Sequence, residues 1–269
     1  MLHTLQLYKQ LVSFQLRSQM QYRFSFLVEM ITTGFLSTSY VLSILMVIHR
    51  FGGLSDWNVA EVMFLLGMVE ASFAVMDMIF AGFDPDIFSQ YIQFGRLDQI
   101  LLRPMSVVFQ ILGSRFETRK LGRVFSGFVV FLIGLSSLNI HWTIGKIVYL
   151  PVVFISQVIA FGALFLAGST LIIWTIQRIE AINIFTYGGV ELMSYPMHIY
   201  PGWIQKFFTY IIPYIFINYY PALFFLDKPD PFHFPPFMSF IAPFAAIFMF
   251  SAAYAFWRFG IRHYQSTGT

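Results

Sequence analysis

The sequence predicts an all-α integral membrane protein, and three observations predict it. Of 269 residues, 58% are hydrophobic and 11% charged, with a mean hydropathy of +0.70. A water-soluble domain needs about a quarter of its residues charged to solvate its surface. The apolar residues also gather into runs long enough to cross a hydrocarbon core, which takes roughly 20 residues of helix. Finally, the basic residues cluster between those runs on one expected side. The formal net charge of +3 is therefore read as topology-setting charge, not as a nucleic-acid surface. The chain has no cysteine, which excludes disulfides and thiolate metal sites.

The first element is "MLHTLQLYKQLVSFQLRSQMQYR", residues 1–23. Leu5, Tyr8, Val12 and Leu16 fall at helical spacing, with Gln10, Ser13, Arg17 and Gln21 on another face. That pattern predicts an amphipathic helix on the membrane surface, not a cleavable signal. Six crossings are expected, at 24–49, 59–82, 121–140, 147–175, 181–197 and 237–259. Residues 203–225 are also apolar enough to enter the bilayer, but Pro213 and Pro221 interrupt them, and Pro196 and Pro201 come just before. Proline removes a backbone donor and clashes with the preceding turn. Freed backbone groups at membrane depth need cover from protein or cavity water. Residues 198–225 are thus expected to form a broken, re-entrant segment within a single transmembrane domain spanning 1–269.

Charge supports six crossings with both termini cytoplasmic. The inner side then receives Lys9, Arg17, Arg23, Arg96, Arg103, Arg115, Arg119, Lys120, Arg123, Arg178, Arg258 and Arg262. The outer side receives Arg50, Lys146, Lys206 and Lys228, which accounts for all 16 basic residues. A seventh crossing would move Arg258 and Arg262 outside and weaken the bias. On this topology 54–58, 139–146 and "LDKPDPFHFPP" (226–236) lie outside. The longest polar excursion, 83–120, lies inside.

That inner loop contains "FGRLDQILLRPM", residues 94–105. Ile87 and Tyr91, then Leu97, Ile100 and Leu101, fit short surface helices. Gly95 is placed to break the first helix, and Pro104 suits the first turn of a new one, where its missing donor costs little. Val108, Leu112 and Phe116 continue at i, i+4 and i+8, with Arg115, Arg119 and Lys120 toward water. The loop therefore reads as helix, break, helix, a shape that can dock a partner. The plainer reading is positive-inside charge with no further role. Asp84-Pro85-Asp86 reads as a turn after a helix.

Four carboxylates fall within the expected crossings: Glu29, Glu70, Asp77 and Glu191. An acidic side chain at the centre of a crossing costs about 2.5 to 3.5 kcal/mol, so each needs a reason. Glu70 and Asp77 are seven residues apart, two helical turns, and share a face. They form either a polar stripe beside a pathway, attracting a cationic solute, or an interhelical hydrogen-bonding seam. Glu29 is expected to pair with Arg23 or a surface group. Glu191 adjoins the broken segment. Ala160, Ala163, Ala167 and Gly168 offer a small-residue surface for helix packing. The six histidines make no i, i+4 pair that would favour a metal, and no nucleophile–base arrangement stands out. Gly145-Lys146 lacks the earlier glycine and following hydroxyl of a phosphate-binding loop.

"FGRLDQILLRPM" resembles the segment after the second crossing in permease subunits of type-2 ABC exporters, closest to a bacterial subgroup with a separate ATPase. "IIPYIFINYYPALFFL", residues 211–226, resembles that subgroup's segment before the last crossing, and the likeness covers essentially the whole chain. It implies a pathway formed with a second permease copy or paralogue in a bacterial inner membrane. It also implies ATP-binding cassette subunits that carry ATP and Mg, with no cofactor, metal or nucleic acid on this chain. The coupling residues it implies are Asp84, Asp86, Gly95, Arg96, Leu97, Asp98, Leu101, Leu102, Arg103 and Pro104. Among them Arg96 and Arg103 would meet acidic residues of the ATPase, and Asp98 would cap or orient its short helix. Glu70, Asp77 and Glu191 are the pathway candidates. The alternatives are an ion-coupled carrier or channel using Glu70 and Asp77, and a membrane enzyme acting on lipid.

Overall fold

The computed structural model describes residues 2–50, 52–177 and 180–266; Arg178, assigned above to the inner side, lies outside them. Among the described residues every regular element is helical, apart from one isolated bridge between Leu54 and Trp57. The chain opens with α1 (Leu2–Met20) and α2 (Arg23–Arg50), and continues with α3 (Val59–Ile79). The loop after α3 folds into α4 (Pro85–Gln93), α5 (Arg96–Leu101) and α6 (Val107–Ser114). Then come α7 (Leu121–Ser136), α8 (Ile144–Thr175), α9 (Glu180–Phe185) and α10 (Tyr187–Met193). α11 (Gly202–Tyr210), a π turn at Ile215–Tyr219 leading into α12 (Tyr220–Leu226), and α13 (Ala242–Arg262) complete the fold.

Of the six expected crossings, α2, α3, α8 and α13 are each long and apolar enough to span a membrane. The other two are shorter. α7 has 16 residues, about 24 Å at 1.5 Å per residue, against a hydrocarbon core of about 30 Å. The crossing expected at 181–197 is not one helix but the pair α9 and α10, separated at Thr186. Tyr214 explains that break. Its hydroxyl donates to the carbonyl of Phe185 at 2.5 Å, and Gly189 makes room, since a Cβ there would stand 2.6 Å from the Tyr214 ring.

Tyr214 sits at the tip of the segment expected to be broken. α11 and the Ile215–Leu226 helix meet at 82° around Ile211–Tyr214, where Pro213 interrupts the hydrogen-bond ladder. Pro213 borders a hollow with Ala163 and Ala167 of α8 and Met249 of α13, so this tip reaches well inside the bundle. Asn218, in the π turn, is held by Gln157 of α8 (2.8 Å) and by the Met193 carbonyl (2.8 Å). Those contacts supply the protein cover that irregular backbone needs at this depth.

The centre of the bundle is α3, two thirds of whose residues are buried. Phe73 meets Phe161 and Phe165 of α8 and Tyr187 of α10 edge-on, with ring centroids 5.3 to 6.0 Å apart. α7 runs antiparallel to α3 along a glycine seam. A Cβ at Gly67 would lie 2.5 Å from Phe131 Cα, and one at Gly127 or Gly134 would lie 2.7 Å from α3 backbone. Such closeness replaces hydrophobic drive with direct packing, as membrane helices require. The small residues expected on α8 also pack: Ala160 and Ala163 are buried, and Gly168 faces Ile182 of α9.

Ion pairs gather the short loops at one end. Lys228 binds Glu61 at 3.1 Å and donates to the Asp56 carbonyl at 2.7 Å, while Lys146 binds Asp227 at 2.7 Å. Segments 54–58, 139–146 and 226–236 therefore share an end of the molecule, and 83–120 lies at the other.

Candidate functional site

The loop after α3 is an anchored elbow. Pro85 opens α4 and Asp84 caps it, accepting from Asp86 N at 2.9 Å. Asp84 is buried, and Tyr187 of α10 donates to its other oxygen at 2.5 Å. Ser169 of α8 donates to the Phe83 carbonyl at 2.5 Å, and Trp257 of α13 packs edge-on against Phe83 and Phe88. Asp86 lies in the first turn of α4. Movement of α4 is thus tied to α8, α10 and α13 together.

Gly95 makes the break that its position predicts, at φ +60°, a left-handed conformation that costs little only for glycine. α5 then turns Leu97 and Ile100 inward. Gln110 of α6 clamps the far side, donating to the carbonyls of Ile100 (3.1 Å) and Met105 (2.9 Å). Left facing out are Phe94 (63% exposed), Leu101 and Leu102 (86% exposed), together with Arg96, Arg103 and Pro104. Arg96 lies over the Phe94 ring at 5.8 Å. This corner carries an apolar centre flanked by two guanidinium groups.

Two expectations for the loop are corrected, and the choice left open for Asp98, to cap or to orient α5, is narrowed. Pro104 does not open a helix; α6 begins at Val107, and Pro104 lies in a tight turn closed by Met105 N to the Arg103 carbonyl at 2.7 Å. α6 ends at Ser114, before Phe116, because Gln15 and Gln19 of α1 take the carbonyls of Ser114 (2.6 Å) and Phe116 (2.5 Å). Asp98 lies in the first turn of α5 as a cap would, but the residue at its cap is Gly95, and Asp98 accepts from Ser266 at 2.7 Å. The C-terminal segment is therefore fastened to the elbow.

Next to the elbow is a charged cavity of about 340 Å³ between α2, α3, α7 and α10. It brings together all three pathway candidates. Glu70, 2% exposed, binds Arg123 at 3.2 Å, and Asp77 binds Lys120 at 2.5 Å. Arg123 also stands 3.9 Å from Asp77 and lies over the Phe73 ring at 4.7 Å. Glu191 accepts a hydrogen bond from Tyr40 of α2. Of the two partners expected for Glu29, Arg23 or a surface group, the structure has the second, Arg119 at 2.8 Å. Sequence reasoning placed Lys120 and Arg123 as topology charges and missed them as partners of α3. Their signal was charge balance, two cations opening α7 against two acids on the preceding crossing.

Just beyond the membrane-facing part of this array is Glu117, with Arg115 at 3.0 Å, Arg119 at 3.6 Å and Lys120 at 3.7 Å. Burial favours its neutral form, but the three cations together outweigh burial and hold the carboxyl below its ordinary value. Among the described residues no group of His, Asp and Glu could hold a metal ion.

A family model for ABC-2 family transporter proteins matches residues 33–268. The chain belongs to the ABC-2 transporter family. No curated protein and no solved structure matches it. The match begins inside α2 and takes in the elbow, the charged cavity and the re-entrant hairpin of this ABC-2 protein. With its apolar helices, it identifies an integral, multi-pass membrane protein that serves as a permease component of an ABC transporter.

Proposed function

We propose that this ABC-2 protein is the membrane subunit of an ATP-driven exporter in a bacterial inner membrane, with both termini and the elbow on the cytoplasmic side. Separate ATP-binding cassette subunits carry ATP and Mg and grip the elbow. A second permease copy or paralogue completes the translocation pathway, and the charged cavity borders it.

The observation that carries this reading is the exposed corner of Phe94, Leu101 and Leu102 between Arg96 and Arg103. Apolar side chains in water call for a partner surface, and the flanking cations select one with acidic groups. Because α4 is tied to α8, α10 and α13, a push on the corner reaches three bundle helices as a rigid unit. The carrier reading is weakened by Arg123 and Lys120, which already neutralise Glu70 and Asp77.

The test is purification of the native complex in mild detergent, followed by measurement of ATP hydrolysis. Wild type should co-purify with an ATP-hydrolysing chain. The variant Arg96→Glu/Leu102→Asp should insert normally but lose that chain. A lone polypeptide that transports on an ion gradient without ATP would overturn the proposal.

A further inference from the structure

The charged cavity has unequal sides. Its two α3 carboxylates meet two cations, Lys120 just before α7 and Arg123 within it, but among the described residues no basic side chain lies within ion-pair distance of Glu191; its hydrogen bond comes from the hydroxyl of Tyr40. Glu191 is exposed on this flank. A carboxylate left without a cation beside a partly enclosed cavity attracts one. One turn of α2 away from Tyr40, Ser37 lines the same cavity; its residue is 9% exposed and its Oγ makes no hydrogen bond. Buried hydroxyls without a partner are uncommon. At the cavity edge Leu36 is 61% exposed, continuing the uncovered apolar face of α2 formed by Ile31, Phe35 and Met46.

We infer that this cavity binds the ammonium group of an amphipathic amine. The cation completes Glu191, an N–H reaches Ser37 Oγ, and the apolar tail lies along the uncovered face of α2. An anionic headgroup is disfavoured, because the Arg123 and Lys120 charges are already taken by Glu70 and Asp77. A neutral headgroup would leave Glu191 without its counter-charge. The inference rests on the transport reading only for the fate of the bound amine; the binding itself stands apart from it.

The experiment titrates dodecylammonium, below micellar concentration, into the full-length protein in phosphatidylcholine nanodiscs, with empty nanodiscs as background. Wild type should show saturable binding. Glu191→Gln should weaken it about tenfold or more, the loss expected for a hydrogen-bonded charge partner. Ser37→Ala, which leaves every ion pair intact, should weaken it by about threefold. Dodecyl sulfate should show no saturable binding to the wild type, a comparison that needs no variant to fold. No saturable binding of dodecylammonium, equal affinity in folded Glu191→Gln, or equal binding of dodecyl sulfate would each overturn the inference. Binding by a protein that carries no ATPase partner would keep the amine site and sink the exporter reading. An ATPase-bearing complex that binds no amine would do the reverse.

Discussion

Arg123 of α7 reaches across the glycine seam to Glu70 of α3, its guanidinium 3.2 Å from a carboxylate that is 2% exposed. The pair joins the central helix to the helix after the elbow. Arg123→Met would leave the buried Glu70 carboxyl without its partner. Loss of one partner of a buried pair costs about 3 to 5 kcal/mol, so the thermal midpoint in detergent should fall sharply. Arg123→Met/Glu70→Leu should recover most of that loss, and a double variant no more stable than the single would contradict the pairing.

The seam itself makes a second prediction. Gly67→Ala puts a Cβ 2.5 Å from Phe131 backbone, where neither helix can yield without parting. Overpacking of this kind costs about 1 to 3 kcal/mol. Gly145→Ala is the matched control, since its Cβ would meet only Thr143 Oγ1 at 3.8 Å. Midpoints for the two variants should therefore move apart, with Gly67→Ala clearly lowered and Gly145→Ala unchanged or raised.

Glu117 sets an acid limit. Its carboxyl is held below its ordinary value of 4.5, so the folded state prefers the charged form. That stability is present above the unfolded value and is lost as pH falls below 4.5 through the folded value. Glu117→Gln should flatten this part of the curve. Thermal midpoints between pH 6 and pH 3 check it: the wild type should drop more steeply than the variant.

At Gly95 any side chain must adopt φ +60°, which costs an L-residue roughly 1 to 2 kcal/mol. Gly95→Ala should relieve that strain by reorienting α5 against α4, reducing transport-linked ATP hydrolysis while leaving expression in the membrane intact. Hydrolysis measured in the reconstituted complex is the readout; an unchanged rate would show that the elbow angle is unimportant.

Much of this architecture was legible in the sequence, and the limits are physical. Apolar length located α2, α3, α8 and α13, because span length is a property of one segment. Proline marked the hairpin around Pro213, and Gly95 marked the elbow, because both act on their own backbone. Thr186 was not legible as a break, since its cause is Tyr214, 28 positions away. Partners were hidden for the same reason. Spacing put Glu70 and Asp77 on one face, but nothing local said that Arg123 and Lys120 would meet them, or that Tyr40 would find Glu191. Pro104 was misplaced because a proline suits a turn as well as a helix start, and the choice was made by Gln110 clamping the turn.

The central claim is that the corner around Leu102 receives an ATP-hydrolysing partner. Its most direct test is a photo-crosslinking amino acid at position 102 in the native membrane, compared with one at the exposed Phe125 of α7. Crosslinking from 102, and not from 125, to a chain that binds ATP is the predicted result. Crosslinking from 102 to lipid alone, or to no nucleotide-binding chain, would contradict it.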